Sequence, residues 1–408
     1  MQIPSFVPSR LLVALALPAL LVGCRPRTPS YHQDVAPILA KHCLDCHRPQ
    51  GIAPVPRFDT LEGARTYAQP IRLAVQMRKM PPFGVDNTGL CGTWQHARWL
   101  SSEEIATITK WQEAGAPAGE PPSTPPVVPP TPAAAPFRAD IELSIGTYRP
   151  GLGAGGNRCF VVDPKLAADR YLSAIRISAD DPRALAQVTL FSLESAEAEA
   201  AVERLDAEDA GLGYSCFGTT RVEAAHPVAS WTWPEPVWRF PTGTGPLLKQ
   251  GRKLVAQLHY NVTLTGAAYA SSPIVSLELS ERATELRVMR ISATGTLAPK
   301  QRYVAVENRQ ALVQRALVVG VAPRMHIRGE TMQLELERGG RETCLATFDH
   351  WWFYNQQLFL LDRPLPVERD DQLRIACSYG TLGRTRPIEF GDGIDDEECV
   401  AYLFVTER

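Results

Sequence analysis

Nine of the twenty residues from Pro117 to Pro136 are proline, and no other stretch limits the possible folds of this chain so sharply. Proline lacks an amide hydrogen and has a fixed φ, so such a segment joins neither a helix interior nor a central strand and builds no core. It reads as an extended spacer over residues 117–137, and it splits the 408-residue chain into a short front and a long back. The two sides carry different periodicities. In the front, Val35, Ile38, Leu39, His42 and Cys46 recur at helical spacing. Pro70 is placed to open a second helix carrying Ile71, Ala74 and Val75. Ser101 and Glu104 form a capping box ahead of Ile105, Ile108 and Trp111, and Gly115 with Pro117 stops that helix. In the back, Leu254, Ala256, Leu258, Tyr260, Val262 and Leu264 alternate with Gln257, His259 and Asn261. Ile175 and Ile177 sit in another candidate strand, and Met332, Leu334 and Leu336 alternate up to a hairpin turn at Gly339-Gly340 that leads into Thr343-Cys344-Leu345. No long helical pattern interrupts this half. The expected architecture is multidomain: a small all-α front followed by two all-β sandwich domains.

Within the front, Cys43-Leu44-Asp45-Cys46-His47 is the attachment signature of a c-type haem. Thiols three residues apart share one helix face, so both reach one porphyrin as thioethers. His47 then places an imidazole beneath the iron. A redox dithiol has no need of His47, and no second cysteine pair stands nearby to complete a zinc site. The expected sixth ligand is Met80, in Met80-Pro81-Pro82, where prolines fix the neighbouring backbone; Met77, His32, His42 and His96 are its rivals.

At the N-terminus, Arg10 precedes the apolar run Leu11–Val22 and then Gly23-Cys24. This reads as an export signal over residues 1–23, too short for a stable membrane span. Leu21-Val22-Gly23-Cys24 resembles a bacterial lipobox, which implies that Cys24 is lipidated and begins the mature chain. Arg25 after it points to an outer-membrane lipoprotein of the bacterial envelope, facing the periplasm or the cell surface. The formal net charge of −2, with no basic stripe, argues against a nucleic-acid partner. Of nine cysteines, Cys24 is assigned to lipid and Cys43 and Cys46 to haem. The even remainder in an oxidising compartment reads as disulfides.

Residues Tyr31 to Pro117 resemble the single-haem cytochrome c domain of bacterial exported proteins. The likeness rests on Asp34-Val-Ala-Pro-Ile-Leu39, Cys43–His47, Gly51-Ile-Ala-Pro54, Met80-Pro-Pro82, Arg98-Trp-Leu-Ser101 and Trp111-Gln-Glu-Ala-Gly-Ala-Pro117. It implies a haem domain over residues 24–116. The back resembles the copper type II, ascorbate-dependent monooxygenases, through Cys159-Phe-Val-Val162, Leu258-His259-Tyr260, Met325-His326-Ile-Arg-Gly329 and Cys377 to Cys399. That resemblance implies two sandwich domains, here residues 138–282 and 283–408, each built to hold one copper.

The implied ligands are an adjacent His-His pair with a later His before Tyr, and a His-x-His with a Met before a late Cys. The pair falls at Ala186-Gln187 and is lost, while the later histidine is kept as His259. The His-x-His reads Arg324-Met325-His326, and the Met position holds Glu398. His259 and His326 are thus remnant copper positions, each a poor site alone because affinity follows ligand count and geometry; both are read as polar-face strand residues. Arg324 puts a permanent cation where a dication would sit, and Glu398 is the natural partner for it. The same resemblance implies disulfides Cys159–Cys216 and Cys377–Cys399. It leaves Cys91 and Cys344 either bridging front and back or free. His226 and His350 read as packing or surface residues. The acidic run Asp392, Asp395, Asp396, Glu397 and Glu398 lacks calcium-loop order and reads as a solvated loop.

Taken together, the leading expectation is a lipid-anchored electron-transfer protein with one covalent haem. Its β module would serve docking or binding, and its redox partner is unnamed. The alternative is a monooxygenase that hydroxylates a C–H bond with O2, holding copper through His259, His326, Glu398 and Met325. A third reading, a haem ligand sensor or weak peroxidase, requires an open sixth position.

Overall fold

The computed structural model describes residues 27–121, 136–151, 156–181, 183–235, 237–261, 270–353 and 355–407. The export signal, Cys24, most of the proline-rich segment, and Val262 and Leu264 lie outside the described residues. The front is helical. A π-helical turn at Tyr31–Val35 runs into α1 (Ala36–His42), followed by α2 (Leu61–Thr66), α3 (Ala68–Gln76) and α4 (Ser102–Glu113). Glu104 and Ser101 make the reciprocal capping box that starts α4. Tyr31, Leu39, Phe58, Ile71, Ile108 and Trp111 form part of its core. The Trp111 indole donates to the Pro117 carbonyl at 3.0 Å, tying the start of the proline-rich segment to the helices.

Two features of the front differ from expectation. Pro70 lies inside the first turn of α3 rather than at its start, and α2 precedes it. The helix α1 ends at His42, so Cys43 to His47 continue as turns, held by the Cys46 and His47 amides donating to the Cys43 carbonyl.

The first sandwich contains β1 (Ile141–Ser144), β2 (Asn157–Val162), β3 (Arg170–Ser178), β4 (Leu185–Leu193), β5 (Tyr214–Ser215) and β6 (Ala225–Thr232). It continues with β7 (Trp238–Arg239), β8 (Thr244–Gly245), β9 (Leu247–Leu248), β10 (Leu254–Tyr260), β11 (Ile274–Ser280) and β12 (Thr284–Glu285). One sheet runs β1-β11-β3-β7 with β9 also on β3, and the facing sheet runs β5-β2-β10-β4-β6. Between β4 and β5 lies α5 (Ala196–Glu208), started by Ser195 accepting from the Ala198 amide. This helix contradicts the expectation of an uninterrupted β region. Its Ala- and Glu-rich composition favours helix, and Ala198 and Val202, one turn apart, are its buried side chains.

The second sandwich contains β13 (Arg287–Ser292), β14 (Val304–Ala311), β15 (Ala316–Arg324), β16 (Gly329–Arg338), β17 (Arg341–Phe348), β18 (Phe359–Val367), β19 (Gln372–Tyr379) and β20 (Val400–Thr406). Its sheets run β13-β20-β15-β18 and β14-β19-β16-β17. Gly339 and Gly340, both at positive φ, turn β16 into β17 as the sequence indicated. The β13-β20-β15-β18 sheet is covered on both faces. Val318, Val321, Leu403 and Val405 belong to the second core, while Val319, Tyr402 and Phe404 pack with the first. The unbroken apolar run from Val400 to Val405 is the sequence counterpart of that double burial.

Three disulfides tie these parts: Cys91–Cys344, Cys159–Cys216 and Cys377–Cys399. The first settles the pairing left open above. It belongs to a wider seam, because Phe83, Val85 and Trp94 sit in the core of the second sandwich. Trp94 bridges Leu361, and the Asp86 and Gln95 amides donate to the Thr347 and Leu360 carbonyls at 2.8 Å. The middle of the front segment is therefore built into the back, and the helical core is assembled from residues on either side of it.

Candidate functional site

The turn after α1 presents two thiols and one imidazole. Cys43 and Cys46 are the free cysteines among the described residues. Burial pushes the Cys43 thiol up to about 12 and raises Cys46 as well. A redox dithiol needs the opposite shift, a stabilised thiolate. The His47 Nδ1–H donates to the Pro56 carbonyl at 2.8 Å. A carbonyl only accepts, so this bond fixes the tautomer and leaves Nε2 as a lone-pair donor. The ring also packs on Phe58, centroids 4.6 Å apart, and burial pulls its basicity down. Gly51 closes the loop, since a Cβ there would stand 2.1 Å from the Cys46 carbonyl oxygen. Two unpaired thiols and an imidazole with a committed Nδ1 are the donor set that covalent haem attachment requires, so these residues fit that group.

Among the rival axial groups, His42 is engaged by Glu104 at 3.0 Å, and Met77 is 47% exposed. Met80 is half-buried and borders a cavity whose wall contains none of Cys43, Cys46 and His47.

The loop after His47 rests on the first sandwich. Asn261, just beyond β10, donates from Nδ2 to the Ile52 carbonyl at 3.0 Å and to the Arg183 carbonyl at 3.1 Å. Two residues back on the same strand is His259. In the β10–β4 ladder His259 stands directly opposite Gln187, and on the other side it faces Asn157. Opposed residues share a sheet face, so Gln187 and His259 are neighbours on one face. With Thr189 and Gln257 they form a polar wall facing Arg324, Phe353 and Gln356 of the second sandwich around a cavity of about 10 Å³, room for roughly one water. Gln187 donates from Nε2 to the Gln356 carbonyl across this seam. Desolvation pushes the His259 imidazole down to about 4.

His326 is not a strand residue. It lies between β15 and β16 and is completely buried. Its Nδ1–H donates to the Asp396 carbonyl at 2.9 Å, and its amide donates to Glu397 Oε2 at 3.0 Å. Its Nε2 has no hydrogen-bond partner and faces Gly218, where a Cβ would come within 2.5 Å of it. Glu398 Oε2 stands 3.7 Å from both His326 Nε2 and Arg324 Nε. Glu397 corrects the reading of a solvated acidic loop: it is fully buried and accepts from the His326 and Arg328 amides. Burial pushes its carboxyl up against those bonds.

These residues do not fit copper. At positions the resemblance assigns to ligands stand a guanidinium, Arg324, and a glutamine, Gln187, and a Cβ on Gly218 would come within 2.5 Å of the His326 Nε2. Among the described residues no group of three His, Cys, Asp or Glu side chains is arranged to hold a metal ion.

Residues 286–407 match the family described as copper type II ascorbate-dependent monooxygenase, C-terminal domain. No curated protein matches the chain. Among solved structures, the infectious bursal disease virus VP2 subviral particle is similar at 9% identity over 68% of this chain and 75% of that chain, with a TM-score of 0.20. The structure of allantoicase is similar at 9% identity over 62% and 78%, TM-score 0.19. The major capsid protein P2 from Bacteriophage PM2 is similar at 11% identity over 65% and 96%, TM-score 0.25. Scores this low inform neither fold nor function.

Proposed function

We propose that the chain is an exported, lipid-anchored c-type cytochrome that transfers one electron. Its copper-monooxygenase-like back serves as the platform on which the front is mounted and through which a partner docks. The observation that carries this reading is the turn at Cys43 to His47, with two unpaired thiols beside an imidazole whose Nδ1–H is spent on the Pro56 carbonyl. When bound, haem c supplies a one-electron couple whose potential follows its axial ligands and burial. The chain's own residues do the rest. Cys43 and Cys46 hold the porphyrin, and Pro56 and Phe58 orient His47. Met80 is the sixth ligand in this reading, and Cys24 carries the lipid that places the protein in the outer membrane.

The test is a soluble form beginning after Cys24, made in a host with haem-attachment machinery. About one thioether-linked haem per chain, with sub-stoichiometric copper, is expected. A product without the covalent chromophore would sink the reading, and near-stoichiometric copper would return the back to oxygenase chemistry.

A further inference from the structure

We infer that the cavity between the Met80-Pro-Pro segment and the second sandwich is a binding site for an organic cation with an apolar body, an amine or quaternary ammonium compound. The inference goes beyond the electron-transfer reading, and Met80, the sixth ligand in that reading, is the lining residue the two share. Its volume is about 560 Å³, within the range of small-molecule sites. The floor is apolar: Phe83 and Phe348 both pack on Phe359, with centroids 5.2 and 5.5 Å from it. Trp351 and Trp352 stand at the wall. Trp351 is held by its indole donating to the His326 carbonyl at 3.0 Å, and Trp352 is 42% exposed. Fixed aromatic faces bind cations through their quadrupoles.

The charges point the same way. Four charged side chains line the cavity: Arg78, Lys79, Glu330 and Asp349, with His350 beside them. Arg78 is already committed, its guanidinium 4.1 Å over Trp99 and donating to the Leu100 carbonyl. Lys79 is exposed on the front side. The sandwich side therefore contributes two acidic residues and two tryptophans to the lining. Both halves of the wall are held in register by Cys91–Cys344 and the Trp94–Leu361 bridge, so the site is formed before any ligand arrives.

Titration calorimetry of the mature chain tests this, with benzyltrimethylammonium as the cationic probe and phenylacetate as its anionic counterpart. Saturable binding of the cation, with phenylacetate at least about tenfold weaker, is expected. Glu330→Gln with Asp349→Asn is expected to weaken the cation by about tenfold, and Trp352→Ala to weaken it severalfold. All three positions are exposed, and the wild-type comparison of the two probes needs no variant. No saturable cation binding up to about 10 mM, equal binding of phenylacetate, or an unchanged affinity in the carboxylate double variant would overturn the site.

Discussion

His47 and His326 are wired alike and end differently. Each donates its Nδ1–H to a backbone carbonyl, Pro56 at 2.8 Å and Asp396 at 2.9 Å. That bond is the usual device for aiming Nε2 at a metal. Just before His47 in the chain stand two unpaired thiols, Cys43 and Cys46. Around His326 stand a guanidinium, a carboxylate 3.7 Å away and the backbone of Gly218. The orientation of either imidazole is set by a backbone carbonyl. What stands opposite the free nitrogen decides whether a metal has anywhere to go.

The sharpest way to break this comparison is to disturb the charges opposite His326. Glu398→Gln leaves the buried Arg324 without its counter-charge and is expected to cost about 3 kcal/mol in urea unfolding. Adding Arg324→Met should recover most of that loss, since a removed buried pair is often neutral. If the single variant is as stable as the parent, Glu398 does not neutralise Arg324. Next in size is Gly218→Ala, which forces a Cβ toward His326 Nε2 at a positive φ of 73°. It should cost about 2 kcal/mol by thermal or urea unfolding, and a neutral result would mean that the backbone does not close on that nitrogen. The smallest effect belongs to Asn261→Ala, which removes the side chain donating to Ile52 and Arg183. About 1 kcal/mol is expected, with faster amide exchange in the loop after His47; unchanged exchange would uncouple that loop from β10.

Much of the front was legible because its signals are local. The Ser101–Glu104 box starts α4 as read, and the Cys-x-x-Cys-His motif falls within a single five-residue stretch. The alternation along β10 was equally plain, with Leu254, Ala256, Leu258 and Tyr260 in the core and Gln257 and His259 on the polar wall. The register that sets His259 opposite Gln187 was not part of that reading.

Other features depend on tertiary contacts that no local pattern announces. The acidic run hid Glu397, whose burial is repaid by two backbone amides from a distant loop. His326 looked like a strand residue because it follows β15 directly, yet the strand ends at Arg324. The passage of residues 83–94 into the second core was masked by their place between α3 and α4. Only α5 was a readable signal left unread: Ser195 at its start, then Ala and Glu in plenty, with just two buried positions to mark an apolar side.

The bond between Cys91 and Cys344 spans 253 positions of sequence and closes a ring that contains the whole proline-rich segment. Severing the backbone there would open the ring without dividing the molecule. Without reductant a nicked copy would still travel as one particle, and only reductant would turn it into two polypeptides on a gel. The segment that looks like the sole bond between the halves is thus covalently redundant.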